Sequence, residues 1–141
     1  PVGSILAGSQ EFINKARKNR KMLGGGMRQA GILAAAGIVA LNHMVERLEE
    51  DHERAIRLAE GLNEIKGVKV NLDKVQSNIV VVDCTGWDKE VDQLLGIVEE
   101  QGLLATPFGP YHLRMVTHKD VDDSDIDQAL QIMNKVGKEL S

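Results

Sequence analysis

Residues 21–29 read Lys-Met-Leu-Gly-Gly-Gly-Met-Arg-Gln and form the densest chemical feature of the chain. Three glycines let a backbone approach a ligand closely, and a helix beginning after them offers free N–H groups and a positive dipole end. An anion such as phosphate would be stabilised there, with Lys21 and Arg28 bracketing the turn. The same residues also read as a flexible helix-to-helix turn with two solvated cations, and a glycine run taken alone favours that plainer reading. Neither the P-loop spacing nor GxGxxG is present, so nucleotide folds gain no support. Of the four histidines, His52 is expected at the edge of a core beside a carboxylate, and His118 in the turn before Asp120. His43 and His112 have no partner visible in the sequence, and no pair has metal-ligand spacing. Cys84 ends an apolar run and is expected to be inert core. The basic run Lys15, Arg17, Lys18, Arg20 and Lys21 spreads around more than one helical face and reads as a solvated surface.

These residues need elements to hold them. A short strand is predicted over residues 4–7 after a Pro-Val-Gly entry, then a basic helix from the N-cap Ser9 to about Met22, ended by Gly24, Gly25 and Gly26. A second helix, from near Arg28 to about Val45, carries Ile32, Leu33, Ile38, Val39 and Leu41 on all sides, the pattern of a helix buried all round. From Glu46 the pattern turns amphipathic, with Leu48, His52, Ala55, Ala59 and Leu62 on one stripe until Gly67. Strands are predicted over 68–72, 78–83, 103–106 and 112–117, a helix over 88–101 with Gly102 as its C-cap, and a last helix from about Ser124. Asp122, Asp123 and Asp125 suit the positive end of that last helix. Strand, strand, helix, strand, strand, helix packs as a small sheet covered on one face. Residues 1–45, by contrast, cannot bury themselves and look like the tail of another domain, which sets domain limits of 1–45 and 46–141.

Composition agrees with a globular chain: 43% hydrophobic, 27% charged and net charge -4 over 141 residues. Aromatic residues make up 3%, too few to stack on bases, so a nucleic-acid partner is not expected. The longest apolar run, residues 30–41, falls short of the roughly 20 residues that cross a bilayer, and a soluble chain without a membrane partner is expected. A single cysteine suits a reducing cytoplasm. The chain opens with Pro1 in place of an initiator Met, so its start is expected to arise by processing, cleavage or design.

Four strings together carry a resemblance that spans the chain: Pro1-Val2-Gly3-Ser4, the stretch from Arg20 to Gln29, Glu50-Asp51-His52, and Arg114-Met115-Val116-Thr117-His118. In this order and spacing they resemble the low-specificity L-threonine aldolases, pyridoxal-phosphate (PLP) enzymes of fold-type I. The resemblance implies an α/β fold: the end of an aspartate-aminotransferase-like large domain, then a small C-terminal α+β domain. It implies cleavage of β-hydroxy-α-amino acids to glycine and an aldehyde by a homotetramer. In such enzymes the Schiff-base lysine stands just before the Pro-Val-Gly-Ser run, so no catalytic residue is expected in this chain and a missing N-terminal part is its first partner. Arg114 matches the arginine that grips the substrate carboxylate, a task for which the bidentate guanidinium fork is suited. Lys21 and Arg28 match residues that reach toward the cofactor phosphate and active-site mouth of a neighbouring subunit. No metal is implied. Two other readings stay open: a non-catalytic interaction module built on this fold, and a related PLP-dependent β-eliminating lyase.

Overall fold

The computed structural model describes residues 4–140. The chain divides into two compact units, Pro1–Glu46 and Arg47–Ser141.

In the first unit, helix α1 (Gln10–Met22) starts where predicted, because the Ser9 hydroxyl accepts the Phe12 N–H at 3.3 Å. Glu11 in its first turn and Arg20 and Lys21 in its last complement the helix dipole. Gly24 (φ 79°) supplies the left-handed residue that ends it, with Gly24 N–H donating to Lys21 O and Gly25 N–H to Arg20 O. This is the paired-bond glycine cap. Helix α2 (Gly31–His43) begins three residues later than expected, since Gln29 holds a left-handed φ of 50° that no helix accommodates. The expectation that α2 is buried on every side is corrected: no residue of it is buried, because within its unit only α1 and a short extended segment are available to pack on it. Residues 4–9 form no strand, for a lone extended segment has no ladder partner for its backbone groups. The Pro-Val-Gly entry lies outside the described residues.

The second unit holds the core. Helix α3 (Leu48–Asn63) is followed by strand β1 (Ile79–Asp83), helix α4 (Val91–Glu100), strands β2 (Thr106–Pro107) and β3 (His112–Val116), and helix α5 (Asp123–Leu140). The sheet order is β1-β3-β2 with both pairings antiparallel. Alternation along the strands sends Val80, Val82, Leu113 and Met115 into the core. They meet Leu58 and Leu62 of α3, Leu94 and Val98 of α4, and Met133 and Val136 of α5, which cover that one face.

Local chemistry shifts several boundaries. Residues 68–72 make only a bridge, Lys69 with Asp83, because the Asn63 side chain takes both backbone groups of Val70, at 2.7 and 3.0 Å. Residues 103–105 stay outside the sheet, since the Leu103 N–H closes the end of α4 on Val98 O. Gly102 stands one residue past the C-cap Gln101 with φ 91°. Helix α3 ends at Asn63, ahead of Gly67, whose φ of 85° and contact with buried Trp87 exclude any side chain: a Cβ there would lie 2.4 Å from the Trp87 ring. On α3 the inward stripe is also corrected. His52 is exposed, while Asp51 and Leu58 are buried. Asp51 can be buried because Arg47 neutralises it. No single helix among the described residues is long and apolar enough to cross a membrane.

Candidate carboxylate and anion sites

Helices cover one face of the sheet; the other face is open, and Arg114 stands on it. Its neighbours on β3, Leu113 and Met115, point into the core, so period-2 alternation turns the guanidinium outward. Register places Arg114 between Val81 of β1 and Thr106 of β2, and the Thr106 hydroxyl donates to the Arg114 carbonyl at 3.3 Å. Arg114 has no ion pair with any described residue. An exposed arginine on a sheet face with apolar neighbours, Val81 beside it and Val116 two residues on, is free to fork a carboxylate from outside.

The same face bears a concavity of about 650 Å³, lined among others by Val81, Phe108 and His112, by Lys69 and Lys74, and by Asp83. His112 received no role from the sequence. Yet it lies two residues before Arg114 on one face, opposite Asp83 in the register, and the period of two along β3 was the signal that could have found it. The Asp83 carboxyl is held below its usual range, chiefly by the Thr85 N–H that it accepts at 2.9 Å and further by the charges of His112 and Lys69.

Lys21 and Arg28 stand in the first unit, on either side of the glycine turn; both are exposed, and neither has an ion pair among the described residues. The Lys21 side chain folds back over Gly26, where a Cβ would meet its Cδ at 3.0 Å and its Nζ at 3.4 Å. Gly24 is required by the cap and Gly25 by its closeness to the Arg20 carbonyl, at 3.2 Å from a built Cβ. The glycines therefore have a structural reason of their own. The expected junction of glycine turn and helix N-terminus is corrected: four residues separate Gly26 from the start of α2 at Gly31, so the turn does not hand an anion directly to that helix end. The two cations remain, without a preformed backbone cradle.

The other expected residues are accounted for in place. The His118 ring does serve its turn, accepting the Asp120 N–H on Nδ1 at 3.2 Å. Cys84 is fully buried, and burial pushes its thiol up to about 12, with the Asp83 charge adding to the rise. Among the described residues no group of three or more His, Cys, Asp or Glu could hold a metal ion.

A small antiparallel sheet backed by helices, with an unpaired arginine on its open face, defines the class. The fold of the backbone is similar to that of the aspartate aminotransferase from Rhizobium meliloti: a TM-score of 0.60 at 20% identity, over 76% of this chain and 31% of that one. At that identity the likeness is one of fold. The model of the beta-eliminating lyase family matches residues 1–85, and the chain belongs to that family. Among curated relatives, the low specificity L-threonine aldolase of Escherichia coli K12 is 59% identical over 86% of this chain. The probable low-specificity L-threonine aldolase 2 of Arabidopsis thaliana is 43% identical over 96% of it. The chain spans 34% and 39% of the length of these two relatives.

Proposed function

We propose that this chain is the C-terminal part of a PLP-dependent aldolase that cleaves L-threonine, L-allo-threonine and related β-hydroxy-α-amino acids to glycine and an aldehyde. The observation that carries the proposal is Arg114, exposed and unpaired among the described residues, on the open sheet face of a chain in the beta-eliminating lyase family. Similarity to proteins named low-specificity L-threonine aldolases supports the choice of reaction. In this reading the polypeptide continues upstream through the rest of the large domain, of which residues 1–45 are the end. The whole assembles as a homotetramer in the cytoplasm.

The described residues fit the anionic end of PLP: Lys21 and Arg28 are unpaired cations beside an open turn, with nothing within 4 Å of a Cβ built on Gly24. No lysine of this chain is assigned to the covalent link, and the chain alone is inactive in this reading. When bound, PLP supplies an electron sink for the bond broken at the substrate α-carbon. Arg114 would fork the substrate carboxylate and so fix the orientation in which the substrate is held. Lys21 and Arg28 offset phosphate charge at a neighbouring subunit, which makes assembly a condition of activity.

The test is Arg114→Lys in the intact polypeptide with threonine as substrate. Lysine keeps the charge and loses the fork, and hydrogen bonds to charged groups contribute about 1.5–3 kcal/mol, so kcat/KM falls by about ten- to a hundredfold. An unchanged rate removes Arg114 from the site. Products decide the reaction: glycine with acetaldehyde identifies aldol cleavage, whereas ammonia with 2-oxobutanoate identifies β-elimination and overturns the aldolase reading.

A further inference from the structure

Two strings singled out in the sequence, Glu50-Asp51-His52 and Arg114-Met115-Val116-Thr117-His118, meet in the structure. The buried Thr117 hydroxyl donates to the Asp51 carbonyl at 2.6 Å, across 66 residues of chain. Asn78 closes the same junction from the other side: its side-chain amide donates to Thr117 O at 2.6 Å, and Thr117 N–H donates to Asn78 O at 3.0 Å. Asp51 is itself pinned, since its carboxylate, 4% exposed, takes both prongs of Arg47 at 2.9 and 3.0 Å. A buried aspartate held in this way fixes the first turn of α3, and with it the carbonyl that Thr117 grips.

The position of this junction gives it a task. Strand β3 pairs with β1 along all five of its residues, but with β2 only at Leu113 and Arg114. Past Arg114 the strand is laddered on its β1 side alone, and Thr117 adds a second fastening there, to α3 and to the entry of β1. Thr117 lies three residues beyond Arg114, roughly 10 Å along the strand, and works from the core face while Arg114 projects from the open one. A bidentate fork tolerates displacement of only about half an ångström, so the anchoring of the strand sets how well the guanidinium meets a carboxylate.

We propose that Thr117, gripped by the Asp51 carbonyl that Arg47 anchors and by Asn78, is a positioning residue for Arg114 in recognition of the amino-acid carboxylate. The proposal rests on the carboxylate role of Arg114 given above. The first experiment is kinetic, on the intact polypeptide with PLP and threonine. Thr117→Val raises KM by about three- to tenfold, the range set by one hydrogen bond, and leaves kcat within about twofold. Thr117→Ser keeps the hydroxyl and keeps KM. In an Arg114→Ala background, Thr117→Val adds no further rise in KM, because both changes act through one group. A variant that only lowers the thermal midpoint, or a KM rise that adds fully to that of Arg114→Ala, overturns the proposal.

The second experiment stands apart from activity. Amide hydrogen exchange in this chain speeds up at residues 114–116 in Thr117→Val and not in Thr117→Ser, with Asn78→Ala as the second probe should the valine variant fail to fold. Unchanged exchange there in both Thr117→Val and Asn78→Ala overturns the positioning role. If exchange responds while Arg114→Lys leaves cleavage untouched, the junction is real and it is the carboxylate role of Arg114 that falls.

Discussion

Cys84 follows β1 by one residue and Arg114 sits in the middle of β3, yet the two side chains meet opposite environments. The cysteine is sealed in the core, its Sγ 3.8 Å from the Val82 carbonyl, and loss of water around the thiolate is what lifts its pKa to about 12. The reactive species is the thiolate, so an aromatic disulfide reagent at pH 8 is expected to leave the folded chain unlabelled and to label one thiol in denaturant. Rapid labelling of the native chain would show that the strand end opens to water. Asp51 makes the complementary case at this scale: a charge inside the fold is tolerated because a two-pronged arginine meets it, whereas its neighbour His52 remains in water.

Among the elements, α5 shows how end chemistry and packing divide the work. Asp122 caps it, accepting the Ser124 hydroxyl and the Ser124 and Asp125 N–H groups at 2.7 to 3.1 Å, while Asp125 reaches back to the Asp122 N–H. This reciprocal pair holds the Asp122 carboxyl below its usual range, the Ser124 hydroxyl first among the causes. A carboxyl depressed on folding stabilises the fold fully above its unfolded value near pH 4, and that contribution is lost as pH falls through the folded value. Asp122→Ala is therefore expected to lower the thermal midpoint by a few degrees at pH 7, with a smaller difference at pH 2. An equal difference at both pH values would assign the effect to packing. The body of α5 rests on α3, where Leu130 fills the space that a Cβ on Gly61 would need, 2.7 Å from its methyl carbons. The surface pairs of Arg54 and Arg57 with Asp123, and of Arg57 with Asp127, join the same two helices and contribute little beside that contact.

For the whole molecule, α2 decides the behaviour. Ile32 is 83% exposed and Leu41 61%, with Ile38 and Val39 also more than half exposed. Leaving four such side chains in water forgoes roughly 1.5–3 kcal/mol each, a sum comparable with the net stability of a domain. The curated relatives quoted above are more than twice as long as this chain, which supports an upstream segment as the natural cover for α2. Alone at low micromolar concentration, the chain is expected to sediment as a self-associated species. A compact species at the 15.4 kDa chain mass would count against this and favour an independent interaction module.

The sequence by itself determined what depends on near neighbours. Helix ends were legible because the groups that cap them lie within a few residues: Ser9 for α1, Gly24 after it, Asp122 to Asp125 for α5. The buried faces of β1 and β3 were legible because alternation is a local rule. The role expected of Arg114 came from resemblance to a family, since an arginine on a strand carries no such signal. Only the tertiary structure decided the rest. It placed Thr117 on Asp51 across 66 residues, gave Val70 to the Asn63 side chain in place of a strand partner, and turned Asp51 inward where His52 was expected. The reason is physical: a backbone group takes whichever partner the folded chain brings within hydrogen-bond reach, and a charge is buried wherever its counter-ion already stands.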